Sequence, residues 1–301
     1  MTQRFPFEGH GAAPLIVDAV YEGGTANNQG DDPINKLLSV GNAGGFRPLG
    51  SIVKRTVKYV VLYTSGVDPD WPDVLDPRTG GFVYHGDQKE PGRELHDTPR
   101  RGNLLLRHLF ELAEGGPEQR AAVPPIFLFE KAAPGRSVAF RGLHAPGGPA
   151  FRPDERLAAV WKSRDGKRFQ NYRATFTVLD EASVSRAWLD ALRSSEDADA
   201  HAPAAWREWS TNTGTPRRLD IAWATGASSQ PRRIPGTETV PVAASTGVGR
   251  PMPMPRSSSR PEPARSRIST IRRAARSRLV SARCSWGRGR GPARAKSRPP
   301  S

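Results

Sequence analysis

The apolar positions of the first two hundred residues follow strand-like spacing in several places. Runs of β-branched and aromatic residues at 52–63, 82–85 and 126–129 are bounded by turn formers, which is typical of strands. Asp165-Gly166 lies between two further apolar segments, 158–163 and 169–178, and this dipeptide predicts a tight hairpin. The segment 44–48, which contains two glycines and a proline, is predicted to be a turn.

Other segments have helical spacing. Asp32-Pro33 joins an N-cap residue to a proline at the first helical position. Leu105, Leu109 and Leu112 share one helical face after the cap-like Asp97-Thr98-Pro99, and the segment 184–192 carries a third apolar stripe. Strands mixed with a few helices predict an α+β fold, with a curved or barrel-like sheet flanked by helices.

The amino-acid composition along the chain predicts three regions. Residues 1–30 are rich in Gly, Asn and Ala and are expected to form a loosely ordered arm, whereas 31–205 form the folded domain. Residues 206–301 are expected to be a disordered tail, since from about 212 the chain has 18 Arg against one Lys and little apolar periodicity. Two interpretations remain open: an arginine-rich arm that grips phosphates, or the out-of-frame product of a GC-rich gene.

The net charge of +15 does not describe the folded region. Residues 211–301 hold 19 of the 45 basic and 3 of the 30 acidic residues, so residues 1–210 hold 26 against 27, a net of −1. Overall charge therefore gives no support for nucleic-acid binding by the folded domain, and any such function must depend on local residues.

Cysteine content and hydropathy exclude several classes of protein. The single cysteine, Cys284, cannot form an intrachain disulfide or a zinc site built on several cysteines. No apolar run approaches the roughly 20 residues of a membrane span, and no signal peptide is evident. We therefore expect a cytoplasmic protein without a membrane partner.

Several uncommon sequence motifs follow one another along the chain. They are Ser65-Gly66-Val67-Asp68-Pro69-Asp70-Trp71-Pro72-Asp73-Val74-Leu75-Asp76, Thr79-Gly80-Gly81-Phe82-Val83-Tyr84-His85-Gly86-Asp87-Gln88-Lys89, Leu95-His96-Asp97-Thr98, Arg101-Gly102-Asn103 and Pro124-Pro125-Ile126-Phe127-Leu128-Phe129-Glu130-Lys131. Over residues 30–205 the chain resembles the N-terminal domain of the AspBHI branch of the MspJI-like restriction endonucleases. The resemblance implies an SRA-like (SET- and RING-associated) fold that binds duplex DNA carrying 5-methylcytosine and flips the methylated base out of the helix.

A flipped base needs aromatic walls and an acceptor for its amino group. Given the resemblance, Trp71 and Tyr84 are expected to sandwich the ring and Asp73 to accept from the N4 amino group, with Asp76 as the alternative acceptor. Without the resemblance, the same Asp residues would be turn formers and caps, Trp71 would anchor its loop to the core, and Tyr84 would be an ordinary strand residue.

Contacts to the DNA backbone are expected from basic residues near the pocket rim. The densest basic feature of the folded region is the hairpin at 162–168, which could equally be a solvated turn. The predicted backbone-contacting residues are Lys89, Arg93, Arg100, Arg101, Lys162, Arg164, Lys167 and Arg168.

Two other interpretations compete with that of a base reader. Asp73, Asp87 and Lys89 follow the PD-(D/E)-x-K pattern of Mg²⁺-dependent nucleases, a short pattern that is common by chance. Alternatively, the chain is a truncated gene remnant without function.

Full-length relatives place a Mrr-like nuclease domain after the reader, and residues beyond 212 carry no such motif. We therefore expect a reader without its nuclease domain, with no catalytic residues and no metal or other cofactor except Mg²⁺ under the nuclease alternative. The sequence does not indicate an oligomeric state.

Overall fold

The computed structural model describes residues 2–194 and 197–211. Within them the chain forms twelve strands and six α-helices, joined by short 3-10 turns. The strands are β1 (Arg4–Phe5), β2 (Leu15–Ile16), β3 (Val20–Tyr21), β4 (Phe46–Leu49), β5 (Tyr59–Thr64), β6 (Val74–Asp76), β7 (Gly81–His85), β8 (Ile126–Lys131), β9 (Val138–Pro146), β10 (Leu157–Arg164), β11 (Lys167–Val178) and β12 (Ser183–Val184). The helices are α1 (Pro33–Leu38), α2 (Gly102–Ala113), α3 (Pro117–Ala121), α4 (Pro153–Arg156), α5 (Arg186–Ser194) and α6 (Ala204–Thr211).

Ten of these strands form one mixed sheet in the order β4-β5-β8-β9-β11-β7-β6, with β10 paired to β11, β3 to β9 and β1 to β3. β5 and β8 run parallel, because α2 and α3 lie between them in the chain, and most other pairs are antiparallel. β12 pairs with β2 in a small second sheet. The predicted α+β class, with a large sheet flanked by helices, is confirmed.

The sheet curves until its two ends approach each other. β4 and β7 are separated by four strands along the sheet order, yet the rings of Phe46 and Tyr84 are 5.1 Å apart at 70°. The Tyr84 hydroxyl also donates to the carbonyl of Tyr63 on β5 at 3.1 Å. This curvature places the carboxyl-terminal ends of β5 and β7 side by side.

A single apolar cluster fills the space between sheet and helices. Trp188 of α5 packs edge-on against Phe127 of β8 at 6.0 Å and lies 6.2 Å from Trp206 of α6. Burying side chains of this size contributes roughly 2–3 kcal/mol each relative to exposing them. These contacts anchor α5 to β8 and α6 to α5.

The structure differs from the predicted domain limits at both ends. The expected loose arm contains Leu15 and Tyr21, which are fully buried, and Tyr21 stacks on Phe5 at 5.0 Å. The tail was expected from 206, but Trp206 and Trp209 are buried in the core as part of α6. The rest of the predicted disordered tail, 212–301, lies outside the described residues.

The predicted turn at 44–48 and long strand at 52–63 are wrong in their limits. Phe46–Leu49 form β4, which pairs with the shorter β5, and residues 51–55 turn between them. The reason is Arg47, which is buried but forms a 2.8 Å ion pair with Asp32, the N-cap of α1. A neutralised arginine is compatible with a strand that the sequence pattern does not indicate. None of the described helices is long and apolar enough to cross a bilayer.

Candidate functional site

A pocket of about 240 Å³ opens where the ends of β4, β5 and β7 meet. It is lined by Gly44, Gly45, Phe46, Tyr63, Thr64, Ser65, Asp68, Trp71, Asp73, Tyr84, His85, Gly86, Asp87 and Lys89. Trp71, Asp73, Tyr84 and Lys89, four of the residues predicted to contact DNA, therefore line one cavity.

Asp73 is fixed in this pocket from both sides. One carboxylate oxygen accepts from the Thr64 hydroxyl at 2.8 Å, at the end of β5, and the other accepts from the backbone N–H of His85 at 3.0 Å, at the end of β7. The side chain is 16% exposed. Because an ionised carboxylate has about four acceptor sites, two bonds leave it able to accept from a ligand.

Tyr84 forms a wall of the pocket and is 3% exposed. Burial, and after it the nearby Asp73 carboxylate, raise the pKa of its phenol well above the ordinary value, so the hydroxyl remains a donor. Gly45 allows this placement, since a Cβ there would clash with the Tyr84 hydroxyl oxygen.

Trp71 forms another wall and is also 3% exposed. The ammonium of Lys162 lies 4.2 Å from the centre of its ring, and the rings of His85 and Phe169 lie at 5.4 and 6.2 Å. A base stacked on the ring face that Lys162 covers would have to displace that ammonium.

Asp76, predicted as the alternative acceptor, is not brought to the pocket. It is the last residue of β6, and it accepts from the backbone N–H of Arg78 at 2.9 Å and the hydroxyl of Thr79 at 2.8 Å in the turn to β7. Partial burial raises the pKa of Asp76, but these hydrogen bonds outweigh it and leave the pKa below its ordinary value. Asp76 is a turn-forming residue.

The loop after β7 is held by distant side chains. Asn171 on β11 donates to the carbonyl of Gly86 at 3.0 Å and accepts from the N–H of Gln88 at 3.2 Å. A Cβ at Gly86 would overlap the amide oxygens of Asn103 and Asn171. The position therefore requires glycine, and Asn171 fixes the backbone of the loop at Gly86 and Gln88.

Two polar groups of the pocket have no sequence signal. Thr64 ends a buried strand and fixes Asp73, as described above. The Nδ1 atom of His85 lies 3.5 Å from an Asp73 oxygen, and it is buried without a hydrogen-bond partner among the described residues. Only the fold shows that both groups adjoin Asp73.

Three of the predicted DNA-backbone residues contact the loop that carries Trp71. Lys89 donates to Asp68 at 2.5 Å, and Lys162 donates to the backbone carbonyl of Asp70. Arg164 lies 3.5 Å from the Asp70 carboxylate. The predicted hairpin is present, with Asp165 and Gly166 both at positive φ, and it packs beside the pocket rim.

The other five predicted backbone residues are all exposed. Arg100 donates to the carbonyl of Ala43 at 2.6 Å beside the pocket, and Arg101 pairs with Asp97 at 2.9 Å. Arg168 lies 4.6 Å above the ring of Trp161, an exposed aromatic on the hairpin. The remaining two are Arg93 and Lys167.

The nuclease triad Asp73, Asp87 and Lys89 is occupied in other ways. Both oxygens of Asp87 accept from backbone N–H groups at the start of α2, at Gly102 and Asn103, each at 2.9 Å. Lys89 pairs with Asp68 rather than with either triad carboxylate. Among the described residues no three His, Cys, Asp or Glu side chains are grouped so as to hold a metal ion.

Comparison with known proteins gives the relatives of this fold. The family model described as Restriction endonuclease AspBHI N-terminal matches residues 15–221. The solved DNA modification-dependent restriction endonuclease AspBHI is 45% identical with a TM-score of 0.67, and the match covers 73% of this chain and 55% of that one. The chain therefore spans about half the length of AspBHI.

The DNA recognition domain of the cytosine modification-dependent restriction endonuclease LpnPI is 41% identical with a TM-score of 0.68, and the match covers 75% of this chain and 99% of that one. The MspJI restriction endonuclease, solved with a 27-mer oligonucleotide, is 24% identical with a TM-score of 0.51 over 71% of this chain and 56% of that one, which shows the shared fold alone. No curated protein matches the sequence. With a family model covering more than half of its residues, and two solved relatives above 40% identity, the chain belongs to the family of AspBHI-type restriction endonuclease N-terminal domains.

Proposed function

We propose that the described domain binds duplex DNA and takes a modified cytosine, 5-methylcytosine, out of the helix into the pocket around Asp73. The LpnPI recognition domain supports this proposal, because 99% of that domain is matched at 41% identity and it belongs to a cytosine modification-dependent enzyme. The pocket lies within the region that the family model matches.

The observation that carries the proposal is the placement of Asp73. Its carboxylate is oriented by Thr64 and His85, on two strands that meet only because the sheet curves. A carboxylate with free acceptor capacity suits the N4 amino group of cytosine. Its fixed orientation means that little conformational entropy is lost when a base binds.

Energetics favour a pocket over reading the methyl group in the groove. One buried methyl or methylene contributes roughly 0.8 kcal/mol, which is too little for strong discrimination. Flipping the base costs roughly a few kcal/mol but exposes its edge and both faces to the protein. Trp71 and Tyr84 then act as walls, and His85 supplies a further polar atom beside Asp73.

The basic rim supplies the sequence-independent part of binding. The backbone-contacting set is Lys89, Arg93, Arg100, Arg101, Lys162, Arg164, Lys167 and Arg168, all on loops or on the hairpin. Each phosphate neutralised releases counterions, so affinity must fall as salt rises.

We expect the protein to act in the cytoplasm, as its single cysteine predicts.

The test is a titration of the full chain on two duplexes that differ only in one 5-methylcytosine, at one stated salt concentration. We expect tighter binding to the methylated duplex, and loss of the difference in Asp73→Ala with binding to the plain duplex retained. The Arg-rich residues after 211 contribute equally to both duplexes and to both proteins, so the comparison is internal. Equal dissociation constants for the two duplexes in the unmodified protein would contradict the proposal.

A further inference from the structure

The acidic loop, residues 68–70, holds three of the basic side chains at the pocket rim. Asp68 binds the Lys89 ammonium at 2.5 Å. Asp70 binds Lys162 through its carbonyl and lies 3.5 Å from Arg164 through its carboxylate. Three side chains expected to grip phosphates are therefore engaged by one short segment of the same chain.

A DNA phosphate can replace the acidic partner in these contacts. Arg164 is 45% exposed and Asp70 is 63% exposed, so their ion pair is screened by water and salt. Pairs of this kind contribute about 0–1 kcal/mol to stability. A DNA phosphate offers the same charge with more oxygen acceptors, and it releases counterions when it binds.

We propose that the carboxylate of Asp70 stands in for a DNA phosphate, holding Arg164 in the free protein and competing with the duplex for that cation. The inference rests on the proposed function of the pocket and extends it to the control of sequence-independent binding. Asp70 thus restrains the affinity for DNA of any modification state.

The charge distribution supports this role. Residues 1–210 have a net charge of −1, which is unusual for a surface that must attract a polyanion. Glu90 also lies 3.8 Å from Arg164, so this guanidinium has carboxylates on two sides. With its own anions in place, the rim offers little attraction to duplex DNA until a phosphate displaces them.

Asp70 is the residue to change, because Asp68 has a second task. One oxygen of Asp68 accepts from the backbone N–H groups of Asp70 and Trp71, at 3.1 and 3.2 Å, and so shapes the loop. Among the described residues, the polar contact of the Asp70 side chain is its ion pair with Arg164 at the rim. Asp70→Asn removes the charge and preserves the size of the side chain.

The experiment compares Asp70→Asn with Asp154→Asn in the full chain. Asp154 is 68% exposed and pairs with Arg152 at 2.6 Å, at the start of α4. It lies near the opposite end of β7, where Phe151 covers Gly81, so it controls for the change in net charge. We expect Asp70→Asn to tighten binding to plain and methylated duplexes alike, by roughly fivefold at low salt. Asp154→Asn should leave both dissociation constants close to those of the unmodified protein.

A double variant shows whether the effect passes through Arg164. In the Arg164→Gln background, Asp70→Asn should give no gain beyond that of Asp154→Asn, because the cation that Asp70 restrains is gone. The gain of Asp70→Asn should shrink as salt rises, because salt screens the Asp70–Arg164 ion pair that competes in the unmodified protein, and it should be absent from the double variant at every salt concentration.

The outcomes separate this inference from the proposed function. If Asp70→Asn binds like Asp154→Asn, or more weakly than the unmodified protein, the restraint does not exist, although methyl discrimination is untouched. A gain that persists in the Arg164→Gln background would also overturn it. If the unmodified protein binds both duplexes equally, the function of the pocket fails instead, whatever Asp70 does.

Discussion

Asp73 and Asp76 bracket the short strand β6, and they have opposite surroundings. Asp73 meets donors that are distant in the fold, Thr64 on β5 and His85 on β7, and lines the pocket at 16% exposure. Within the described part of the chain, the Asp76 side chain meets only donors within three residues, at Arg78 and Thr79, and it is 40% exposed. Three residues separate a candidate recognition group from a turn former, and the curvature of the sheet makes the difference.

The largest effect is expected at the pocket end of β7. Gly86→Ala should lower the free energy of unfolding by about 3 kcal/mol, because the new Cβ overlaps the amide oxygens of Asn103 and Asn171. Denaturant unfolding measures the loss. The matched control is Gly41→Ala, where a Cβ meets nothing within 4 Å, and it should be close to neutral. Equal stability of the two variants would mean that the loop after β7 accommodates a Cβ at Gly86 without cost.

The ring of Phe82, in β7, packs against the ring of His144, with the two ring centres 5.7 Å apart. Burial lowers the pKa of His144 to about 4, whereas in the unfolded chain it is 6.5. Between these values the unfolded state binds more protons, so the stability contributed by the neutral imidazole is present above pH 6.5 and is lost as pH falls towards 4. We expect up to about 3 kcal/mol from this residue.

Unfolding measured across that pH window should show a smaller pH dependence in His144→Leu than in the unmodified protein. The other titrating groups are common to both proteins and cancel in the difference. An unchanged pH dependence would show that His144 is not held neutral.

The comparison of the two aspartates can be tested directly. Asp73→Asn should cost about 2 kcal/mol of binding to the methylated duplex, because the amide loses a charged acceptor beside the base. Binding to the plain duplex should change little. Asp76→Asn should preserve methyl discrimination and reduce only stability, by about 1 kcal/mol. If Asp76→Asn removed discrimination and Asp73→Asn did not, the assignment of the two carboxylates would be reversed.

The smallest effect is expected for Tyr84→Phe. This change removes the hydroxyl that donates to the carbonyl of Tyr63 but keeps the ring as a wall. Denaturant unfolding should show a loss of about 1 kcal/mol, with methyl discrimination retained. Loss of discrimination at unchanged stability would instead assign the hydroxyl a direct part in recognition.

Sequence patterns predicted the elements that depend on neighbours in the chain. The hairpin at Asp165-Gly166 and the cap of α1 at Asp32-Pro33 are present, since turn and cap chemistry is local. The helix predicted to start after Asp97-Thr98-Pro99 begins instead at Gly102, because its N-terminus is held by Asp87 from the loop after β7. A cap supplied by a side chain fifteen residues away has no local signature.

Some of the pocket residues could likewise be predicted from the sequence, and others could not. Trp71, Asp73, Tyr84 and Lys89 could be named because the order of sequence motifs resembles one family. Thr64 and His85 could not, because a threonine ending a strand and a histidine following a tyrosine are ordinary until the sheet curves. The choice between Asp73 and Asp76 also required the curvature.

Recognition in the pocket requires the modified base to leave the duplex, and a fluorescent base analogue placed opposite the 5-methylcytosine measures this most directly. On binding, the fluorescence should rise as the analogue loses its partner, and the rise should be absent for the plain duplex and for Asp73→Ala. Tight binding to the methylated duplex with no rise in fluorescence would contradict the account, since the methyl group would then be read without any base entering the pocket.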